Sequence, residues 1–328
     1  MAKIVEFTEL GGPEKLGIVH RDVPTPKAGE VRISVKAIGL NRAEALFRSG
    51  VYFEKPVFPA KLGYEAAGVV DEIGPGVEGF AKGDAVSVVP AFSMNDYGTY
   101  GETILAPAAA VVKHPSDLSF ETAAALWMAY LTAYDALVVT AKTSEGDFVV
   151  IPAASSSVGI ASIQIANILG AIPIALTRTD RKRKQLIEVG AAHVVATETQ
   201  DLLAELTAIT GGKGVQVVFD PVGGPNFAKL LEAASPAARI IIYGTLGEPT
   251  VMPHFPVFTK QLVITGALLF STTFDPVRLK AGIEWISAGL KTGKLVPIVA
   301  KTFRLDDIVE AHQYLEANDQ FGKVMVTT

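Results

Sequence analysis

The stretch FVVIPAASSSVGIASIQIANIL, residues 148–169, is where the fold is decided. Phe148–Ile151 is a short, continuously apolar run of the kind shown by a strand buried on both faces. A turn of small residues runs from Pro152 to Gly159, and from Val158 to Leu169 apolar positions recur at helical spacing. A strand that passes through such a turn into a helix aims several unpartnered backbone N–H groups, and the positive end of the helix dipole, at one point. Diphosphate binds at such points. The dinucleotide fingerprint asks for three glycines, so that the chain turns tightly and the pyrophosphate can approach. Only the last is present here, as Gly159, with Ala154 and Ser156 in the first two places. Small side chains still admit a close ligand, and the hydroxyls of Ser155, Ser156 and Ser157 can donate to phosphate oxygens. Ala154, Ser155, Ser156, Ser157, Val158 and Gly159 are therefore the candidate diphosphate residues. On this stretch alone, a ligand-free turn of small residues stays open.

The chain on either side extends the pattern. IPIAL (172–176) precedes a helical period over Arg181–Val189, HVVA (193–196) precedes Leu202–Ile209, VQVVF (215–219) precedes Phe227–Ala234, and RIIIY (239–243) follows. Apolar, largely β-branched runs separated by helix-length segments mean parallel strands covered on both faces, an α/β doubly wound sheet. Gln261–Phe270 (QLVITGALLF) is expected as a further, long strand at the sheet edge, with a helix over Pro276–Leu290. Residues 1–120 read differently. Short strands such as Glu30–Leu40, Ala66–Ile73 and Asp84–Pro90 are broken by turn residues at 74–76 and 83–84, the texture of a barrel-like β domain. From about Pro297 a strand, a helix over Asp306–Ala317 and the strand GKVMVTT are expected to return to that first domain.

The end of IPIAL selects between cofactors. An NAD site typically places an acid there for the ribose 2′-OH. This chain reads Thr177-Arg178-Thr179, with Lys182 shortly after. Such a corner suits a 2′-phosphate, which Arg can bind bidentately and Lys can meet as a point charge. Asp180, the nearest acid, is expected as a helix N-cap. NADPH is thus favoured over NADH, with a merely polar strand–helix corner as the alternative.

Bulk properties narrow the function. The 328 residues are 49% apolar and 19% charged, which fits two globular domains. A net charge of −5 argues against a nucleic-acid partner. No signal core and no run of about 18 apolar residues is found, so a cytoplasmic chain with no membrane partner is expected. The cysteine count is zero, which excludes disulfides, thiolate nucleophiles and cysteine-ligated metals. The five histidines (20, 114, 193, 254, 312) show no ligand spacing.

Several further stretches carry a resemblance: VKAIGLNRAEALFRSGVY (35–52), LGYEAAGVVDEIGPGVEGFAKGD (62–84), LTAYDAL (131–137), FDPVGG (219–224) and FGKVMV (321–326). Together, over essentially the whole chain, they resemble the medium-chain dehydrogenase/reductase superfamily, and specifically its zinc-free, NADPH-using quinone oxidoreductase branch. The resemblance implies a GroES-like β-barrel catalytic domain over 1–122 and 298–328, and a Rossmann cofactor domain over 123–297. It implies that Leu268, Leu269 and Phe270 lie along nicotinamide, and that Gly322 and Lys323 belong to the cofactor set. Tyr243, Gly244 and Asp220 follow strand ends on the ligand side of the sheet, although Asp before Pro is also an ordinary turn residue. Zinc-dependent members place a cysteine and a histidine where this chain has Asn41 and Tyr64, and an amide and a phenol are poor zinc ligands beside thiolate and imidazole. No bound metal is expected.

Without a Lewis acid, conjugated acceptors are easier substrates than alcohols, because their developing negative charge is delocalised and a few hydrogen-bond donors suffice. Asn41, Tyr52 and Tyr64, with Arg42 nearby, are the candidate donors for a quinone or enone carbonyl. An enoyl-thioester reductase of the same fold and a non-catalytic NADPH-binding protein are the alternatives. A homodimer is expected through the 261–270 edge. Arg178→Ala should weaken NADPH binding by roughly tenfold to a hundredfold, the loss of one charge-assisted contact, and leave NADH nearly unchanged. Equal losses for both cofactors, measured by fluorescence titration, would defeat the 2′-phosphate assignment.

Overall fold

The computed structural model describes residues 1–115 and 118–328. The chain forms two compact units, residues 1–128 with 297–328, and residues 129–296.

In the first unit, β1 (Ala2–Glu6) and β2 (Gly17–Arg21) make an antiparallel pair of their own. β3 (Glu30–Gly39), β4 (Glu65–Ile73), β5 (Ala85–Val88), β6 (Thr103–Pro107) and β7 (Val111–Lys113) build most of a larger sheet. Alternation explains β3: Val31, Ile33 and Val35 are buried, while Arg32 and Ser34 between them are partly exposed.

The second unit holds β8 (Phe148–Ile151), β9 (Ile172–Thr177), β10 (His193–Ala196), β11 (Val215–Asp220), β12 (Ala234–Ile242) and β13 (Val263–Gly266). They form one sheet in the order β10-β9-β8-β11-β12-β13, and every pairing is parallel. β8 is central, which is why Val149, Val150 and Ile151 are all fully buried. The chain steps outward on one side of β8 as far as β10, then crosses to β11 on the other side. Strand order reverses there, at the position where such sheets bind ligands.

The chain then returns to the first unit with β14 (Val299–Arg304) and β15 (Lys323–Thr327). The large sheet runs β14-β15-β3-β4-β5-β7, with β6 also paired to β3. Its pairings among the described residues trace an open path, so a GroES-like fold is reached without a closed hydrogen-bonded barrel. β15 lies inside this sheet, parallel to β14 and antiparallel to β3. The helix Ile308–Glu316 is fastened by a buried cluster. Arg48 donates to His312 Nδ1 at 2.8 Å and to Glu316 at 2.8 Å, and His312 Nε2 lies 3.1 Å from the Tyr100 hydroxyl. His312 is fully buried, and burial lowers its pKa, so it is held neutral beside the guanidinium.

Two expectations need correction. The apolar run 261–270 is not one long strand: β13 covers four residues, and a helical turn, Phe270–Thr273, begins where the strand was expected to continue. Leu269 and Phe270 are apolar because they are buried at that turn. Asp180 is not a helix cap. It opens a short 3-10 turn, Asp180–Lys182, and its carboxylate accepts from Arg183 Nε at 2.7 Å.

Candidate functional site

All strands of the second unit run the same way, so the residues after β8, β9, β11, β12 and β13 collect along one edge of the sheet. The loop after β8 is built for close approach. Ala153 takes a left-handed backbone (φ 50°), and Gly159 sits where a Cβ would come within 2.6 Å of the Ala154 backbone. Any side chain at 159 would push the helix away from the loop. Ser156 caps the helix Ser157–Ile168, its Oγ accepting from Gly159 N–H at 3.0 Å, which leaves its own proton to donate. Ser155 Oγ accepts from Lys182 Nζ at 3.2 Å, so Lys182 joins the loop after β8 to the corner after β9. In that corner Thr177 ends β9 and Arg178 is exposed, with Thr179 following. Asp180 is paired with Arg183, and Glu198 N–H donates to Arg178 O at 3.0 Å, which brings a second acidic residue to this corner.

The remaining candidates in this unit divide. Asp220 ends β11 buried, and its two oxygens accept from Val222 N–H at 2.7 Å and Gly223 N–H at 3.0 Å. It shapes the FDPVGG turn, and burial raises its pKa. Tyr243 stacks on Phe219 with centroids 3.9 Å apart. Gly244 is a close-approach position, where a Cβ would stand 2.9 Å from Pro221 O. Leu268 is half-exposed beyond β13, whereas Leu269 and Phe270 are buried. Gly322 and Lys323 belong to the first unit.

In the first unit the candidates meet in a buried polar cluster. Asn41 precedes the helix Arg42–Arg48, and Glu44 reaches back to accept from Asn41 N–H at 2.7 Å, half of a capping box legible in the pattern N-x-x-E. Asn41 Nδ2 donates to Gly39 O, Glu44 Oε1 and Glu65 Oε1 at 3.1–3.3 Å, and Asn41 Oδ1 accepts from Lys323 Nζ at 2.5 Å. Lys323 Nζ also donates to Glu65 Oε1, and Glu65 Oε2 accepts from Met128 N–H at 3.0 Å. Glu44, Glu65 and Lys323 are all essentially buried. Burial raises the Glu44 carboxyl to about 7, against the opposing pull of Lys323 and Asn41.

This network changes the reading of three residues. Both amide protons of Asn41 are engaged, Lys323 spends its charge on Glu65, and Arg42 turns away to donate to Leu315 O at 3.0 Å and to Asn318. Gly322 serves the same return strand: its φ is 101° and a Cβ would meet Ile298 O at 2.3 Å. Tyr64 is buried with its backbone N–H on Glu44, and its ring lies 6.4 Å from Tyr52 and 5.9 Å from Phe92. Burial raises both phenols. Tyr52 is only partly buried. Sequence reading passed over Glu44, whose signal was the capping pattern, and over the pairing of Lys323, for which no local signal exists.

A GroES-like unit and a parallel dinucleotide-type sheet on one chain define the two-domain architecture of the alcohol dehydrogenase class. The family model for the alcohol dehydrogenase GroES-like domain matches residues 27–116, and that for zinc-binding dehydrogenase matches residues 157–288. Quinone oxidoreductase of Homo sapiens is 32% identical over 99% of this chain and 98% of its own length. The crystal structure of Escherichia coli quinone oxidoreductase complexed with NADPH superposes with a TM-score of 0.92 at 29% identity, covering 99% of this chain and 100% of that one. A crystal structure of an NAD-dependent alcohol dehydrogenase gives 0.91 at 34% identity, covering 99% of both chains. The chain belongs to the medium-chain dehydrogenase/reductase superfamily, in its quinone oxidoreductase-like branch.

Zinc, which the second family model implies, does not fit the donors present. Asn41 Oδ1 already faces an ammonium, Tyr64 is a phenol whose pKa burial raises, and no cysteine exists. Among the described residues no group of three His, Cys, Asp or Glu side chains could hold a metal ion.

Lys323→Met would leave the Glu65 carboxylate buried without its partner. We expect a loss of about 3–5 kcal/mol of stability, read as the shift of a urea unfolding curve. Lys323→Met with Glu65→Gln should recover part of it. A single variant as stable as the parent would show that the pair carries no such weight.

Proposed function

We propose that this oxidoreductase transfers hydride from NADPH to quinones or other α,β-unsaturated carbonyls, without zinc. The observation that carries the cofactor half is the corner after β9, where Asp180 is tied to Arg183 while Lys182 reaches the Ser155 hydroxyl. A 2′-phosphate would meet Arg178 and Lys182 there, whereas the residues that directly end β9, Thr177-Arg178-Thr179, include no acid for a ribose 2′-OH. The glycine at 159 and the capped helix behind it hold the diphosphate. NADPH, when bound, supplies the hydride at nicotinamide C4.

The chain's own part in the chemistry is orientation and charge. Tyr52 is the leading donor to the acceptor's carbonyl oxygen, because its side chain is only partly buried and Asn41 has no proton to spare. A phenol whose pKa is pushed up stays protonated at neutral pH and can donate without ionising. Asn41, Glu44 and Lys323 position the segment that carries these tyrosines. An alcohol substrate would need a Lewis acid at the place Lys323 and Asn41 fill, which disfavours the alcohol dehydrogenase reading.

We also infer a homodimer formed through the second unit. β13 ends the sheet with Val263 half-exposed, and the preceding helix His254–Thr259 shows Phe255 and Phe258 at 71% and 66% exposure. Light scattering should return twice the chain mass of 34.6 kDa, and a single-chain mass at micromolar concentration would refute the assembly.

Loss of NADPH absorbance with 1,2-naphthoquinone and with an aliphatic enone tests the reaction. Tyr52→Phe should lower the maximal rate severalfold, within the roughly hundredfold bound set by losing one preorganised donor, with NADPH affinity unchanged. Tyr64→Phe should act in the same direction and less strongly. Full turnover in both variants would remove the tyrosines from the mechanism.

A further inference from the structure

Asp135 is a buried carboxylate that neither the cofactor set nor the tyrosine pair uses. It is 3% exposed and follows directly on the helix Trp127–Tyr134, at the point where the chain widens into a π-helical segment, Asp135–Thr140. The change of ladder is direct: Ala141 N–H reaches Ala136 O at 2.8 Å, one residue further than an α-helix allows. Its carboxylate accepts a hydrogen bond from Thr272 Oγ1, and Thr272 is fully buried. Burial raises the Asp135 pKa, with Thr272 and the more distant charge of Arg278 pulling the other way.

Thr272 belongs to the turn that follows β13. Ala267 N–H donates to Ile242 O at 2.8 Å, which fixes the start of the stretch to β12. Ser271 N–H donates to Leu268 O and Thr272 N–H to Leu269 O, both at 2.9 Å, so 268–272 moves as one turn. The far end is held by Asp135. A hydroxyl on a buried carboxylate is a costly fastening where two aliphatic side chains would pack as well, and such polar contacts persist where a particular position has to be kept. The same turn buries a second hydroxyl, Thr273 Oγ1, with no hydrogen-bond partner. Between the two anchors the exposed apolar side chain is Leu268, at 49%, and Ser271 beside it is exposed as well.

We propose that Asp135 and Thr272 are positioning residues for the nicotinamide half of the cofactor, acting through Leu268 and Leu269. The inference rests on NADPH binding along this sheet edge, as argued above. Their bond sets how far the 268–269 backbone stands from the end of β13, and with it the platform offered to the nicotinamide ring. The adenine half, served by the corner after β9, does not depend on it.

That division makes the test. Isothermal titration of 2′,5′-ADP reports on the adenine half alone, and NADPH on both halves. Thr272→Val keeps the shape and deletes the hydroxyl, Thr272→Ser keeps the hydroxyl, and Asp135→Asn keeps an acceptor oxygen. In Thr272→Val we expect 2′,5′-ADP affinity within about twofold of the parent and NADPH weakened by at least about threefold, because a loosened platform must be ordered on binding. Thr272→Ser and Asp135→Asn should restore most of the NADPH affinity. Equal weakening of both ligands, or NADPH affinity as in the parent in a folded Thr272→Val protein, would overturn the positioning role alone. A parent protein that binds neither ligand would overturn the cofactor reading and this inference with it.

Discussion

The Lys323 ammonium sits between Asn41 Oδ1 and Glu65 at 1% exposure, and much of the first unit is arranged so that it is never left without them. An isolated charge at that depth would cost several kcal/mol, and so would the Glu65 carboxylate without its cation. Satisfying all three groups brings β3, β4 and β15 to one point and sets where the helix Arg42–Arg48 begins. Glu44 then spans Asn41 N–H and Tyr64 N–H, so the start of that helix and the Tyr64 backbone are held by one carboxylate. The aromatic pair inherits its place from this buried charge.

In the second unit the equivalent constraint is steric. The loop after β8 and the helix behind it approach until a single Cβ at 159 would collide with the Ala154 backbone. Ser155 and Ser156 in the loop do not widen it, because their hydroxyls are directed at Lys182 and at the helix cap rather than into the contact. Gly244 repeats the device after β12, against Pro221. Close backbone approach thus recurs at two strand ends of this sheet.

Much of this is legible without coordinates, for identifiable reasons. Strands such as Phe148–Ile151 and His193–Ala196 are continuous apolar runs because both faces are covered, and their length separates them from helices. The loop after β8 keeps its close approach to the helix despite the loss of two glycines because small size is the physical requirement. What the sequence hides is pairing across distance. Lys323 lies 258 residues from Glu65, and nothing local in the sequence shows that the two pair in the interior. Asp220 reads as a ligand contact until its two oxygens are found on Val222 and Gly223. The run 261–270 misleads for another reason. Apolar residues are wanted both by an edge strand and by the buried turn after it, and hydrophobicity cannot mark where one becomes the other.

The interior place of β15 bears on the order in which the protein can assemble. During synthesis, β3, β4 and the helix Arg42–Arg48 leave the ribosome long before the strand that neutralises them. Until residues 323–327 arrive, the edge of β3 that β15 will cover is open, and two carboxylates face one another with no cation. The second unit closes its own sheet from contiguous chain and can fold meanwhile as a self-sufficient insert. The first unit is thus completed last, by a charge delivered from the opposite end of the chain. Its unfinished sheet is the species that most needs protection from pairing with a neighbour.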